Sequence, residues 1–328
     1  MDDPTGADIA SFALPLGAYD SLAWLERYRR QVTDEVRRDV LASFLPAFEE
    51  RYAQRLALAP PDLGAHIGRG GELLSAIQEN GAALAAIPEP HRRRIRELSV
   101  PLAIAIHASL DAIDQPRFED GHVRLDSETH AELYQSVAEG LEASGAMEAF
   151  GAYSGRSLRL NSLGLQVNTA KETRSRYGEL DASGLPARPT SYFHVDSNDW
   201  PNVKALIYLD DVGQGQGPFR YVAGSHRLMG PFEAAVRKTN DKLRSSPVVL
   251  CALPQPYAQH ANFGDYIDPE APAARGLLDR EVQVCGGGSD LVLFDNNGVH
   301  RGGMVRSGHR YMLQCMFVRA SKSVRKDR

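Results

Sequence analysis

The hydrophobic period changes near residue 150, and that change restricts the fold more than any single motif. Before it, apolar residues recur at helical steps. Leu22, Leu25, Tyr28, Val32 and Val36 outline a helix over 20–58, which Asp20 or Ser21 can cap and Pro46 should break or restart. A Pro- and Gly-rich loop follows at 59–71, then helical patches at about 72–87, 90–113 and 128–149, the last capped by Ser127 or Thr129. After residue 150 the period shortens to two. The stretches 157–168, 190–195, 203–212, 217–226, 290–296 and 310–320 are short, apolar or alternating, and mostly separated by Gly, Pro, Asp or Asn. Many short strands with such turns predict a sandwich, barrel or jelly roll. The expectation is therefore an α+β chain. Residues 1–150 form a mainly helical region that buttresses a β-rich core over 151–328, with insertions at 169–189 and 229–280.

Composition narrows the classes of function. Hydrophobic residues make up 43% and charged residues 24%, as in an ordinary globular protein with a sizeable core. A net charge of −5 offers no electrostatic footprint for nucleic acid. No apolar run approaches the roughly 20 residues that span a bilayer, so no membrane partner is expected. The acidic start, Met-Asp-Asp-Pro, lacks the basic-then-apolar order of a signal peptide. Cys251, Cys285 and Cys315 are odd in number and far apart, which argues against a disulfide framework or a zinc cluster. Buried thiols in a cytoplasmic protein are the simplest reading, and a reactive cysteine is the other.

The chemistry concentrates in the β-rich half. In Ser-Tyr-Phe-His-Val-Asp, 191–196, alternation sends His194 and Asp196 to one face and Val195 to the other. A third ligand can come from His300, which follows an apolar strand and an Asn-Asn-Gly turn. Two histidines and one carboxylate with open positions opposite describe a non-haem Fe(II) oxygenase site. Three ligands and an open position would also suit a hydrolytic zinc site, and spacing alone does not choose between them. Arg310 opens the strand after His300, sharing a face with Met312 and Gln314, opposite Tyr311, Leu313 and Cys315. An arginine entering an apolar β-core is costly unless an anion pairs with it, and its planar fork suits a carboxylate. The alternative is a strand-start arginine with its head in solvent; Arg306 is a competing candidate, but in a turn.

Three stretches together resemble the phytanoyl-CoA dioxygenase family: His-Val-Asp at 194–196, Gly-Pro-Phe-Arg-Tyr-Val-Ala-Gly-Ser-His-Arg at 217–227, and 300–314 from His300 through Arg310 to Gln314. The resemblance covers roughly 155–320. It implies a double-stranded β-helix, or jelly roll, and a dioxygenase using Fe(II), 2-oxoglutarate and O2. By position, His194, Asp196 and His300 would hold iron, and Arg310 would grip the distal carboxylate of 2-oxoglutarate. Related halogenases have Gly or Ala where this chain has Asp196, so hydroxylation of a small-molecule substrate, or another hydrogen-abstraction outcome, is expected instead of halogenation. Gly224-Ser225-His226 lacks the second glycine of a nucleophile elbow, and the resemblance makes it structural. Gln166 and Asn168 share one face of the first strand; they contact 2-oxoglutarate or a ligated water, or are ordinary polar strand residues. Tyr192, Asn198 and Trp200 flank the ligands and are candidates for the substrate pocket, Trp200 being equally a candidate for the core. The insertion at 169–189, longer than in many relatives, carries Lys171, Arg174, Arg176 and Arg188. It is either a lid that favours an acidic substrate group or a solvated loop. Rival readings are a metal oxygenase that does not use 2-oxoglutarate and a non-catalytic jelly-roll binding protein.

Overall fold

The computed structural model describes residues 71–111, 117–118, 122–170, 172–173, 190–196, 202–228, 266–288 and 290–320. The expected helix over 20–58, most of 169–189, Asn198, Trp200, Arg174, Arg176 and Cys251 lie outside the described residues.

Helix α1 (Gly71–Asn80) buries Leu73 and Ile77, four residues apart on one face. The helical patch expected over 72–87 stops there. Gly81 takes a φ of 84°, its N–H closing onto the Ile77 carbonyl at 2.9 Å. This left-handed residue ends the helix, and a Cβ on it would collide with Tyr221 and His226. The chain then turns into strand β1 (Ala82–Ala86). Five small or apolar residues, too short a run to declare a period, are taken by the free edge of a sheet. Helix α2 (Glu89–Asp111) follows, with β2 (Arg117–Phe118) and β3 (His122–Leu125) after it. The patch expected over 128–149 divides into α3 (Ala131–Ala143) and α4 (Ala146–Ser154), because Gly145 between them adopts a φ of 78°.

The remaining elements are mostly strands: β4 (Leu158–Thr169), β5 (Glu172–Thr173), β6 (Val203–Tyr208) and β7 (Phe219–Val222), then the single-turn α5 (Arg275–Leu278). After it come β8 (Glu281–Val284), β9 (Asp290–Asp295), β10 (His300–Arg301) and β11 (His309–Arg319). The order β1-β9-β6-β11-β4-β3 forms a six-stranded antiparallel sheet, and β10-β7-β8 a three-stranded one; β2 and β5 make a short parallel pair. Val195 and its neighbours form no continuous strand. Instead Phe193 bridges to Ile267 and His194 to His300.

Alternation along the strands sorts the core into two layers. Leu163, Leu165 and Val167 of β4 and Tyr311, Leu313 and Cys315 of β11 face the helices, with Leu133, Val137 and Phe150 among their partners. The opposite face carries Leu206 and Tyr208 of β6, Val292 and Phe294 of β9, and Met312 of β11. These pack against Phe219 and Tyr221 of β7 and Val284 of β8, so the second layer lies between the two sheets. Burying each of these large side chains contributes about 1.5–3 kcal/mol. Gln166, Asn168 and Arg310 project from the same inner face and are buried.

Candidate metal centre

His194 and His300 lie directly opposite one another on antiparallel backbone. The N–H of each donates to the carbonyl of the other, at 3.0 and 2.9 Å. In such a pair both side chains leave on the same side of the ribbon. The imidazole centroids are 4.6 Å apart, and Asp196, two residues beyond His194, joins them. Its Oδ1 is 3.6 Å from His194 Nε2 and its Oδ2 is 3.8 Å from His300 Nε2. Three ligand atoms, one from each residue, lie within 4.8 Å of one another.

Both rings are locked in the same sense. His194 Nδ1 donates to the Tyr192 carbonyl at 2.7 Å, and His300 Nδ1 donates to the Gly298 carbonyl at 2.8 Å. A carbonyl only accepts, so the proton sits on Nδ1 and the Nε2 lone pairs face each other and Asp196. Burial pushes the His300 imidazolium down to about 3, with His194 adding to the effect. Burial alone would raise the Asp196 carboxyl, but the Lys204 ammonium and the two imidazoles hold it well below the usual carboxylate range. With Nε2 of each ring unprotonated, the set is two nitrogen donors and one carboxylate, the chemistry that a divalent transition ion requires.

The supports of this cluster run through groups that strand periodicity does not reveal. Tyr221 is paired with His300 across β7 and β10, and its hydroxyl donates to the Asp295 carbonyl at 2.9 Å. The Asp295 carboxylate accepts Asn297 N–H at 2.8 Å and Asn297 Nδ2 at 2.9 Å, as well as a hydrogen bond from Tyr153 of α4. Asp295 therefore shapes the turn that leads to His300. Ser225, buried, donates to the Val222 carbonyl and accepts Val299 N–H at 2.8 Å. It braces the turn. Arg301 forks onto Glu281 at 2.5 and 2.9 Å, and Arg220 reaches the same carboxylate at 2.8 Å, tying β10 to β7 and β8.

Arg310 is 2% exposed on the inner face. Its Nη1 donates to the Gly303 carbonyl at 3.0 Å and its Nη2 to Asn168 Oδ1 at 2.8 Å, the residue opposite it on β4. Gln166 accepts from Gln314 Nε2 at 2.7 Å. Arg306 is exposed. Tyr192 is buried, with its hydroxyl donating to Asp268 Oδ2 at 3.0 Å. The side chain that sequence reasoning missed is Lys204, whose Nζ forms an ion pair with Asp196 Oδ2. The signal was present: Lys204 alternates with Leu206 and Tyr208 on an otherwise apolar strand face.

No protein-family model and no curated protein matches the chain. Among solved structures, it is similar to AviO1 from Streptomyces viridochromogenes Tue57, at 16% identity and a TM-score of 0.45 over 78% of this chain and 97% of that one. It is similar to SnoK, a non-haem alpha-ketoglutarate-dependent carbocyclase from nogalamycin biosynthesis, at 18% identity and a TM-score of 0.46 over 80% and 88%. EctD from S. alaskensis, crystallised with 2-oxoglutarate and 5-hydroxyectoine, matches at 14% identity and a TM-score of 0.44 over 79% and 82%. These likenesses are distant, and the reading that follows rests on the chain's own residues. No helix among the described residues is long and apolar enough to cross a membrane.

Proposed function

We propose that the chain is an Fe(II)- and 2-oxoglutarate-dependent oxygenase on a double-stranded β-helix, and that it hydroxylates a small molecule. The observation that carries this is the reciprocal His194–His300 pair with Asp196 beside it, all three offering lone pairs to one point. His194 Nε2, His300 Nε2 and a carboxylate oxygen of Asp196 would hold the ion on one side, leaving the other side for ligands from solution. Arg310, buried on the inner face, would hold the far carboxylate of 2-oxoglutarate, with Asn168 aligning its fork. When bound, the iron supplies O2 activation coupled to decarboxylation of the keto acid. The net change is substrate C–H, O2 and 2-oxoglutarate to C–OH, succinate and CO2. The protein's share is to fix both Nδ1 protons on backbone carbonyls, to keep Asp196 ionised, and to exclude water with Phe219, Tyr221 and Phe294 around His300.

The test is succinate release from 2-oxoglutarate by Fe(II)-loaded protein in air, with a metabolite set screened for stimulation. Release is expected for the wild type and should vanish in Asp196→Ala. Tight zinc binding with no 2-oxoglutarate binding by calorimetry would overturn the proposal in favour of a hydrolytic or silent protein.

A further inference from the structure

The oxygenase reading leaves Lys204 unexplained, and the inference here rests on that reading. Lys204 stands on β6 opposite Phe294 of β9 and Met316 of β11. Its side chain is 15% exposed, and its one ion pair among the described residues is with Asp196 Oδ2. That oxygen also faces His300 Nε2 at 3.8 Å. A divalent ion at the triad would share the Asp196 carboxylate with the ammonium, and the two cations repel.

The charges show what the ammonium lacks once the site is filled. In the metal-free chain Asp196, Lys204 and Arg310 sum to one positive charge, which sits on Arg310 because Lys204 is paired with Asp196. With a divalent ion and dianionic 2-oxoglutarate in place, the ion, Arg310 and Lys204 bring four positive charges against three from Asp196 and the keto acid. The sum is the same as before, but the unpaired charge passes from Arg310, now on the keto acid, to Lys204, which a further anion would pair. Arg310 does not supply that place. It lies six residues along β11 from Met316, the residue opposite Lys204, roughly 20 Å of strand away.

Asn296 points to the same ligand independently. It is 0% exposed, and neither its Nδ2 nor its Oδ1 has a hydrogen-bond partner among the described residues. Its N–H donates to the Asn202 carbonyl at 2.8 Å, which extends the β6–β9 ladder one pair beyond Val203–Asp295. Continued alternation places Asn296 on the face of Val292 and Phe294, diagonal to Lys204 across the ladder. A buried amide without partners destabilises the chain unless a ligand completes it.

We propose that Lys204 and Asn296 together recognise an anionic group of the substrate, a carboxylate or a phosphonate-type group, on the side of the metal away from Arg310. Metal binding frees the ammonium from Asp196. The ammonium then supplies charge to that group, and the Asn296 amide donates a hydrogen bond to it. The substrate class is therefore a small acid rather than a neutral molecule.

The experiment uses the full chain loaded with Co(II) and 2-oxoglutarate, read by the visible absorption of the cobalt. Wild type, Lys204→Met, Lys204→Arg and Asn296→Leu are compared, with circular dichroism to verify folding. Each is titrated with acetate, methylphosphonate and, as an uncharged match, acetamide. Acetate or methylphosphonate should perturb the wild-type spectrum and acetamide should not; the stronger of the two anions names the group. Affinity should fall at least about tenfold, or about 1.4 kcal/mol, in Lys204→Met and Asn296→Leu, and stay within about threefold in Lys204→Arg. Asn296→Leu should also melt at a higher temperature than wild type when ligand-free. Equal anion affinity in wild type and Lys204→Met, or no response in wild type, overturns the assignment while leaving the oxygenase reading intact. Failure of the wild type to bind Co(II) and 2-oxoglutarate together overturns both.

Discussion

Gly298 tests how the turn before His300 builds the site. A Cβ at this position would fall inside the van der Waals envelope of the Tyr221 ring and hydroxyl and come within 3.1 Å of Ser225 Oγ. Tyr221 is fully buried and cannot swing to solvent. Gly298→Ala must therefore push the ring aside, an overpacking cost of about 1–3 kcal/mol. The shift also breaks the Tyr221–Asp295 hydrogen bond, worth about 1 kcal/mol. We expect a total loss of about 2–4 kcal/mol. Tyr221→Phe alone should cost about 1 kcal/mol, since Gly298 N–H still donates to the Asp295 carbonyl at 3.1 Å. In the double variant the hydroxyl, the worst obstacle, is gone. Its cost should be about 1–2 kcal/mol smaller than the sum of the two single costs. Urea unfolding of the four proteins gives the cycle. Co(II) affinity should follow it, because the Gly298 carbonyl accepts the His300 Nδ1 proton. Additivity within about 0.5 kcal/mol, or unchanged Co(II) affinity in Gly298→Ala, would refute the reasoning.

Three other outcomes are expected. Arg310→Met should weaken 2-oxoglutarate binding about 100-fold or more by calorimetry, the loss of two charge-assisted hydrogen bonds at about 1.5 kcal/mol each; affinity within threefold of wild type would mean another residue holds the keto acid. Metal-free protein should lose stability as pH falls from 6.5 toward about 3, because the unfolded chain protonates His300 while the fold keeps it neutral. The slope approaches about 1.4 kcal/mol per pH unit in that window, and His300→Gln should flatten it in thermal melts. Co(II) at about 100 times its dissociation constant should stabilise the fold by about 2.7 kcal/mol, and Asp196→Ala should abolish that gain.

The β-rich half was legible because its strands alternate cleanly. The division of β11 into Arg310, Met312 and Gln314 on one face and Tyr311, Leu313 and Cys315 on the other follows from a period of two and survives in the fold. The elements that were missed share a physical cause. Ala82–Ala86 is an edge strand of small residues, and what makes it extended is the ladder that β9 offers it, from Ala82–Phe294 to Ala86–Asp290. Local propensity carries no trace of a partner two hundred residues away. His122–Leu125 is recruited in the same way, by β4. The break between α3 and α4 was written in Gly145, a residue that a helix tolerates until a positive φ is required of it.

The candidate site divides along the same line. His194, Asp196 and His300 could be named because ligand chemistry restricts which residue types can appear, and because alternate positions on an extended segment share a face. Which atoms meet was not accessible: the reciprocal backbone pair that sets His194 against His300 is a contact across more than a hundred residues. The second layer was harder still. Lys204, Asn296, Asp295 and Tyr153 are ordinary residues by type, and only burial gives them meaning. A lysine in solvent says nothing, whereas a lysine held against a ligand carboxylate raises the question of where its charge goes when a metal arrives. Arg306, another cation, is exposed and carries no such demand. The pairing of a half-hidden lysine with Asp196, rather than a motif, is what leads from the fold to the proposal about substrate, and Lys204 is the residue on which that proposal stands.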